Sequence, residues 1–191
     1  MLLLVLAVWP ALIGIGAFLV YDQTAAGFGS HLLLLDAARV DSVAAEIQRQ
    51  HPGQRILILE KLPGRPMELG VLPAFDVYIR GQLEKEGVSI EAIEVIPGRS
   101  IDQVTQVRQL KGWMAAHQDA TVVALTDQLS GRTWRKLLDQ ILTPDEAKRV
   151  HLHAVVQPKV NSSNWWRSKA GIIFVLQQYI TFLYPSEGAK Q

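Results

Sequence analysis

The sequence predicts a three-layer α/β domain with a mostly parallel five-stranded sheet, preceded by one amino-terminal transmembrane helix. Three observations predict this class. Short, almost continuously apolar runs such as Leu32–Leu35 and Val122–Leu125 are typical of strands buried on both faces, as in parallel sheets. These runs alternate with helical stretches of about 10–15 residues, which indicates βαβ units. The first 20 residues, Met1 to Val20, contain no charged side chain.

The uncharged run is long enough to cross a membrane. At about 1.5 Å per residue, a helix over Met1–Val20 spans about 30 Å, the thickness of the hydrocarbon core of a bilayer. A retained anchor is the interpretation that this length favours. Two alternatives stay open: a signal peptide cleaved near Thr24-Ala25-Ala26, and a helix buried against a soluble domain. Since no basic cluster follows the run, we expect the rest of the chain on the outer side of the membrane.

The chain divides into four predicted segments. Residues 1–21 form the anchor or an uncleaved signal, residues 22–30 a linker, residues 31–185 the α/β domain and residues 186–191 a tail. The 19 Lys and Arg residues nearly balance the 18 Asp and Glu residues, so the chain lacks the basic surplus of a nucleic-acid-binding protein. With no cysteine in the chain, no disulfide framework reports the redox compartment.

In chain order, the five strands are predicted over His31–Asp36, Gln54–Glu60, Ile90–Ile96, Thr121–Thr126 and Val150–Val156. The helices are predicted over Ala38–Gln50, Ala74–Glu86, Ser100–His117, Gly131–Leu142 and Asn164–Tyr184. Two helix starts, Ser100–Gln103 and Thr143–Glu146, fit the capping box, in which two side chains cap the free amide groups reciprocally. The third helix carries apolar residues at helical spacing, which predicts a core-facing side: Ile101, Val104, Val107, Leu110 and Met114.

Polar residues follow the predicted strands at their carboxyl ends, where open α/β sheets bind ligands. Two of these ends lead into helix starts, whose free amide groups suit a phosphate or carboxylate when a cation lies nearby. The sequence therefore predicts a site for an anion or another polar ligand over Arg99, Ser100, Thr126, Asp127, Ser130 and Arg132. The alternative is that Ser130 or Asp127 only caps its helix.

The sequence does not specify a cofactor or a metal. Gly27-Phe28-Gly29 precedes the first strand, so it is not a dinucleotide fingerprint, and neither a Walker-type phosphate loop nor a Gly-x-Ser-x-Gly elbow is present. His151 and His153 share one face of the fifth strand, but no third ligand stands at a recognisable spacing, so we predict no metal site.

Enzymatic activity stays open on the sequence. Asp36, Glu60 and Asp127 follow predicted strands and have the chemistry of an acid or base in a hydrolase or transferase. No nucleophile–base pair accompanies them. The sequence therefore identifies no reaction.

Three stretches resemble a known family: Gly87-Val88-Ser89 through Ser100, Thr121–Thr126 with its basic following helix, and Asn164-Trp165-Trp166-Arg167-Ser168. Together with the amino-terminal anchor and the order of elements, the chain resembles the SanA/ElyC/YdcF-like family (domain of unknown function 218) over roughly residues 31–184. The resemblance implies a Rossmann-like fold and, for anchored members, a role in the bacterial cell envelope. It implies no particular reaction.

Several polar signature positions of that family carry other residues here. Glu60-Lys61-Leu62 stands where a Ser-Gly-Gly turn is usual, and Ser130 stands where a His is usual. In the last helix, Gln178 and Thr181 stand where Glu and Lys are common. The resemblance therefore describes a divergent member, in which the scaffold is kept and the polar residues are exchanged.

The functional expectation combines these observations. We expect a protein anchored in the lipid bilayer of a bacterial inner membrane, with its domain on the outer side. This domain would bind a polar or phosphate-bearing ligand, such as an envelope precursor, at the strand carboxyl ends. The alternative is a non-catalytic protein that binds other envelope proteins with the same scaffold.

Overall fold

The computed structural model describes residues 2–23, 29–35 and 40–185. The strands are β1 His31–Leu34, β2 Arg55–Lys61, β3 Ile93–Ser100, β4 Val122–Asp127 and β5 Val150–Val155. The helices are α1 Leu2–Leu19, α2 Val40–Gln50, α3 Arg65–Glu68, α4 Phe75–Lys85, α5 Gln103–Ala116, α6 Gly131–Ile141, α7 Pro144–Lys148 and α8 Lys169–Leu183. Short 3-10 turns cover Ile90–Ala92, Gln128–Ser130 and Trp165–Arg167. Asp36 and the Thr24–Ala26 segment lie outside the described residues.

The five strands form one sheet in which every pairing is parallel. Their order is β3-β2-β1-β4-β5, so the chain moves outward in one direction and then crosses to the other side of β1. His31 at the start of β1 lies opposite Arg55 of β2 and Val122 of β4. This order is that of a Rossmann-like sheet, whose switch point falls between β1 and β4. The predicted α/β class and five-stranded parallel sheet are confirmed.

The sheet is buried on both faces because its central strands carry continuous buried apolar runs, which are Leu32–Leu34 in β1, Ile56–Leu59 in β2 and Val122–Leu125 in β4. One core places Leu33 and Leu57 against Leu110 of α5 and Trp134 of α6. The other core places the alternate strand residues, such as Leu32, against helices α2 and α4. Helices therefore cover each face of the sheet, which gives the three layers that the sequence predicts.

The third predicted helix begins later than its pattern indicates. β3 continues to Ser100, and Asp102 caps α5 by accepting a 2.8 Å hydrogen bond from Thr105 N. Thr105 Oγ1 accepts in return from Asp102 N at 3.1 Å. The predicted Ser100–Gln103 capping box is therefore wrong by two residues, and Ile101, which precedes the helix, is exposed instead of core-facing. The Thr143–Glu146 capping box is confirmed at the start of α7.

The carboxyl half of α1 packs against the last part of the chain. Trp165 Nε1 donates a 3.1 Å hydrogen bond to Leu12 O, and Tyr179 Oη donates a 2.8 Å hydrogen bond to Ile15 O. Leu19 is fully buried with Trp165 and with Val175 of α8. Within the described residues, the structure has no helix that is both long and apolar enough to span a bilayer.

The residues that follow α1 run along the outer edge of β5. Gln23 N donates to Leu152 O at 2.9 Å, and Gln23 Oε1 accepts from Leu152 N at 3.3 Å. Asp22 Oδ1 accepts from Ala154 N at 3.3 Å. These contacts satisfy backbone groups that an open strand edge would expose.

Candidate functional site

A cleft of about 310 Å³ opens between the first turn of α5 and the middle of α8. α5 begins just after the carboxyl end of β3, and α8 contacts the Gln128–Ser130 turn that follows β4. The cleft therefore lies at the carboxyl edge of the sheet, where open α/β sheets bind ligands. Its lining residues are Asp102, Gln103 and Val104 from α5 and its cap, and Gln177, Gln178 and Thr181 from α8.

Two side-chain amides approach the cleft from opposite helices. Gln178 is only 8% exposed, and its Oε1 is buried with no hydrogen-bond partner among the described residues. Gln103 Oε1 on α5 is buried and, within the same described ranges, equally without a partner. A buried polar atom left unpaired costs about 1–3 kcal/mol, so each oxygen lowers the stability of the fold unless a donor reaches it. A side-chain amide can also donate, so each residue can form two kinds of hydrogen bond.

The single carboxylate of the lining is already occupied. Asp102 Oδ1 accepts hydrogen bonds from Thr105 N and from Thr105 Oγ1, both at 2.8 Å. These bonds hold the first turn of α5 in place. Asp102 therefore serves to shape one wall of the cleft.

The lining chemistry suits binding better than catalysis. Among the six lining residues, all of them described, there is no cation and no nucleophile–base pair. Hydroxyl and amide groups of an uncharged ligand match the glutamine side chains and the Thr181 hydroxyl. A phosphate would meet no positive side chain in this set.

The predicted loop after β3 has a structural role. Ser100 is buried, and its Oγ donates a 2.8 Å hydrogen bond to Glu60 O. The Glu60 carboxylate accepts from Gly98 N, also at 2.8 Å. These bonds fasten the carboxyl ends of β2 and β3 together, while the neighbouring Arg99 is exposed.

The predicted loop after β4 is largely buried. Thr126 is fully buried, and Asp127 Oδ1 accepts a 2.8 Å hydrogen bond from Leu129 N, so Asp127 caps the 3-10 turn. Ser130 is also buried, and no atom of the described chain bonds to its Oγ. The Arg132 guanidinium lies 4.4 Å from the centre of the Phe18 ring of α1.

None of the six predicted site residues is among the residues that line the cleft. Ser100 lies closest in sequence, two residues before Asp102. Their roles in ligand binding stay predictions. The sequence analysis missed Gln103 as a lining residue and noted Gln178 and Thr181 only as departures from a family pattern. The sequence pattern that could have identified the α8 residues is a set of polar side chains inside an otherwise apolar helix: Gln177, Gln178 and Thr181.

The histidines of β5 have no metal-site neighbours in the described part of the chain, where no group of three metal-ligating side chains occurs. His153 Nδ1 instead lies 3.8 Å from the Asp22 carboxylate. A third histidine, His31, lies at the amino end of the central strand β1, beside Trp113. Burial lowers the pKa of His31, while the Glu94 carboxylate acts in the other direction.

No protein-family model matches the chain, and no curated protein matches it at a significant level.

Proposed function

We propose that this protein binds a small, uncharged polar ligand in the cleft between α5 and α8, and that it does so while attached to a membrane of the bacterial cell envelope. The observation that supports the ligand is Gln178. A glutamine that is 8% exposed, with an amide oxygen that has no partner in the described chain, is destabilising unless something else bonds to it. Gln103 offers the same chemistry from the other wall.

The lining supports an uncharged ligand over a phosphate. Neither predicted cation, Arg99 or Arg132, lines the cleft, and the Arg132 guanidinium stacks on the Phe18 ring. A ligand that carries hydroxyl and amide groups, as sugars and short peptides do, would form hydrogen bonds with Gln103, Gln178 and Thr181. Replacement of Gln103 or Gln178 by an apolar residue would then abolish binding, because the ligand groups that bond to the amide would be left unpaired.

Membrane attachment and family membership are supported by the sequence. The run Met1–Val20 has no charge, and we propose that α1 attaches the domain to the outer face of a bacterial inner membrane. The residues of the closing Trp165-Trp166 motif and the order of the sheet support a divergent member of the SanA/ElyC/YdcF-like family.

A thermal-shift experiment on the purified full chain tests the ligand. N-acetylglucosamine, N-acetylalanine methylamide and inorganic phosphate serve as probes for hydroxyl, amide and anion chemistry. We expect one of the two uncharged probes to raise the melting temperature, and phosphate to leave it unchanged. The Gln178→Leu variant should lose the response while it folds as well as the parent, because it removes an unpaired buried polar group.

Gln106→Leu is the matched control for this experiment. Gln106 is 7% exposed on α5, and its Oε1 also has no partner among the described residues, but it does not line the cleft. This variant should keep the ligand response. Equal responses of the two variants, or a shift with phosphate alone, would contradict the proposed ligand class.

A non-catalytic interaction protein is the second candidate function. It is favoured by three apolar side chains on the loop after α3: Leu69, Val71 and Leu72 are each more than half exposed. Replacement of Val71 and Leu72 by Ser should then reduce cross-linking to one envelope protein in cells. Full retention of every cross-link would exclude this surface.

A further inference from the structure

The outward side of α8 is apolar. Its exposed stripe recurs at helical spacing and consists of Ile173, Leu176, Ile180 and Leu183, of which Ile180 is 61% exposed. The inward side is smaller and more polar, with Gly171, Val175 and Gln178 as its buried residues. A helix that faces water normally has the opposite arrangement, so the surroundings of α8 are not water alone.

The exposed apolar surface continues onto α1. The Phe18 ring stacks on the Tyr179 ring with 5.7 Å between the ring centres, and it meets the Phe182 ring edge-on at 5.5 Å. Ile13 and Ile15 of α1 are also exposed. We call the surface formed by these exposed apolar side chains of α1 and by the apolar stripe of α8 the α1–α8 surface.

Two cations lie at the border of the α1–α8 surface. Arg132 lies over the Phe18 ring, and Lys136 lies 4.6 Å from the centre of the Phe182 ring. Lys136 Nζ also donates a hydrogen bond to Phe182 O. Neither α1 nor α8 contains an Asp or Glu in its sequence. An apolar surface with cations at its border and no acidic residue is complementary to a bilayer with anionic headgroups.

We propose that the α1–α8 surface lies in the plane of a bilayer, with the apolar side chains of α8 among the acyl chains and Arg132 and Lys136 at the lipid phosphates. This inference rests on the proposed membrane attachment and adds α8 as a second membrane contact. Tyr184, which is 75% exposed at the end of α8, is an aromatic residue of the kind enriched at membrane interfaces.

Membrane contact along α8 would also fix the position of the cleft. Gln177, Gln178 and Thr181 line the cleft from the same helix that carries the apolar stripe. A bilayer that holds one side of α8 would therefore keep the cleft next to the membrane surface. The ligand would then bind to the cleft at the membrane surface, where envelope molecules are assembled.

Fluorescence quenching on the full chain in vesicles tests this surface. The chain has no cysteine, so Leu176→Cys and Ile180→Cys each provide a single site for an environment-sensitive nitrobenzoxadiazole label. Both side chains are exposed, so the substitutions leave the packing intact, which circular dichroism verifies. Ile90→Cys is the control, because Ile90 is 55% exposed and lies outside α1 and α8. The vesicles contain phosphatidylethanolamine and phosphatidylglycerol.

We expect a blue shift and several-fold stronger quenching by nitroxide-labelled lipid at positions 176 and 180 than at position 90, with iodide quenching in the reverse order. Vesicle-bound protein whose labels at 176 and 180 behave like the label at 90 would overturn the inference and leave attachment by α1 intact. Protection from iodide without quenching by lipid would assign the surface to a protein partner or a second copy, which also overturns it. Protein that does not float with the vesicles would contradict the membrane attachment itself.

Discussion

Helices α6 and α8 pack against each other at one end of the sheet, yet they place their residues in opposite ways. α6 buries Trp134, Leu137 and Leu138 and leaves Asp139 exposed. α8 exposes its large aliphatic residues and buries Gln178. Water on the outer side of α6 explains why its apolar residues are buried and Asp139 is exposed. Water does not account for the arrangement of α8, so the two helices differ in what lies on their outer sides.

The largest expected effect comes from matched leucine truncations. Leu138→Ala in α6 removes a fully buried side chain and should lower the free energy of unfolding by about 2–5 kcal/mol. Leu176→Ala in α8 removes a side chain that is 56% exposed and should change it by less than about 0.5 kcal/mol. Urea unfolding followed by far-ultraviolet circular dichroism measures both. Equal losses would show that α8 has a protein neighbour on its outer side within the monomer.

A glycine pair tests whether α1 belongs to the same unit as α8. A Cβ at Gly16 would lie 2.7 Å from Ser162 O and 2.8 Å from Trp165 Nε1, so Gly16→Ala should force the helices apart and cost about 1–3 kcal/mol. At Gly14, no atom of the described chain lies within 4 Å of that position, so Gly14→Ala should be neutral or stabilising. Thermal unfolding distinguishes them. If Gly16→Ala proves as mild as Gly14→Ala, the packing described for α1 is incorrect.

A smaller effect on stability is expected from the serines at the starts of α8 and α6. Ser168 Oγ accepts a 3.0 Å hydrogen bond from Gly171 N at the start of α8, so Ser168→Ala should cost about 1 kcal/mol. Ser130 before α6 makes no such bond within the described residues, so Ser130→Ala should leave the free energy of unfolding unchanged or raise it. A clear loss of stability in Ser130→Ala would instead indicate an unseen partner for its hydroxyl.

The smallest expected effect is a pH dependence of the stability that arises outside α1 and α8. Neither helix carries a histidine, whereas burial lowers the pKa of His31 below its ordinary value. A lowered histidine pKa stabilises the fold at neutral pH, and this stabilisation is lost as the pH falls below about 6.5. The His31→Phe variant should therefore lose less stability between pH 7 and pH 5 than the parent does. An identical loss in both would place the titrating group elsewhere.

The sheet was predictable from the sequence because short apolar runs such as Leu32–Leu35 and Val122–Leu125 alternate with helical stretches, a pattern that is typical of a covered parallel sheet. The start of α5 was not predictable, because Ser100 and Asp102 both fit a capping role and only the length of β3 distinguishes them. The packing of α1 on α8 depends on contacts between residues more than 150 positions apart, which local patterns do not encode.

The site was less predictable than the sheet for a related reason. Strand ends point to the edge of the sheet at which the cleft opens, but a glutamine on a helix has the pattern of a surface residue. Gln178 is buried because the apolar side of its helix is turned outward, and this reversal depends on what lies outside the helix. Arg132 was expected at a ligand, yet the rings of α1 offer its guanidinium a contact that no strand-end pattern contains.

Cysteine reactivity along α8 tests the central claim, that its two sides meet different surroundings. Single cysteines at positions 173, 176, 177, 180 and 183 of the full chain would be treated with a water-soluble maleimide before and after binding to vesicles. We predict that the vesicles protect positions 173, 176, 180 and 183 and leave position 177, which lines the cleft, reactive. Uniform reactivity in vesicle-bound protein, or equal protection of position 177, would contradict the account.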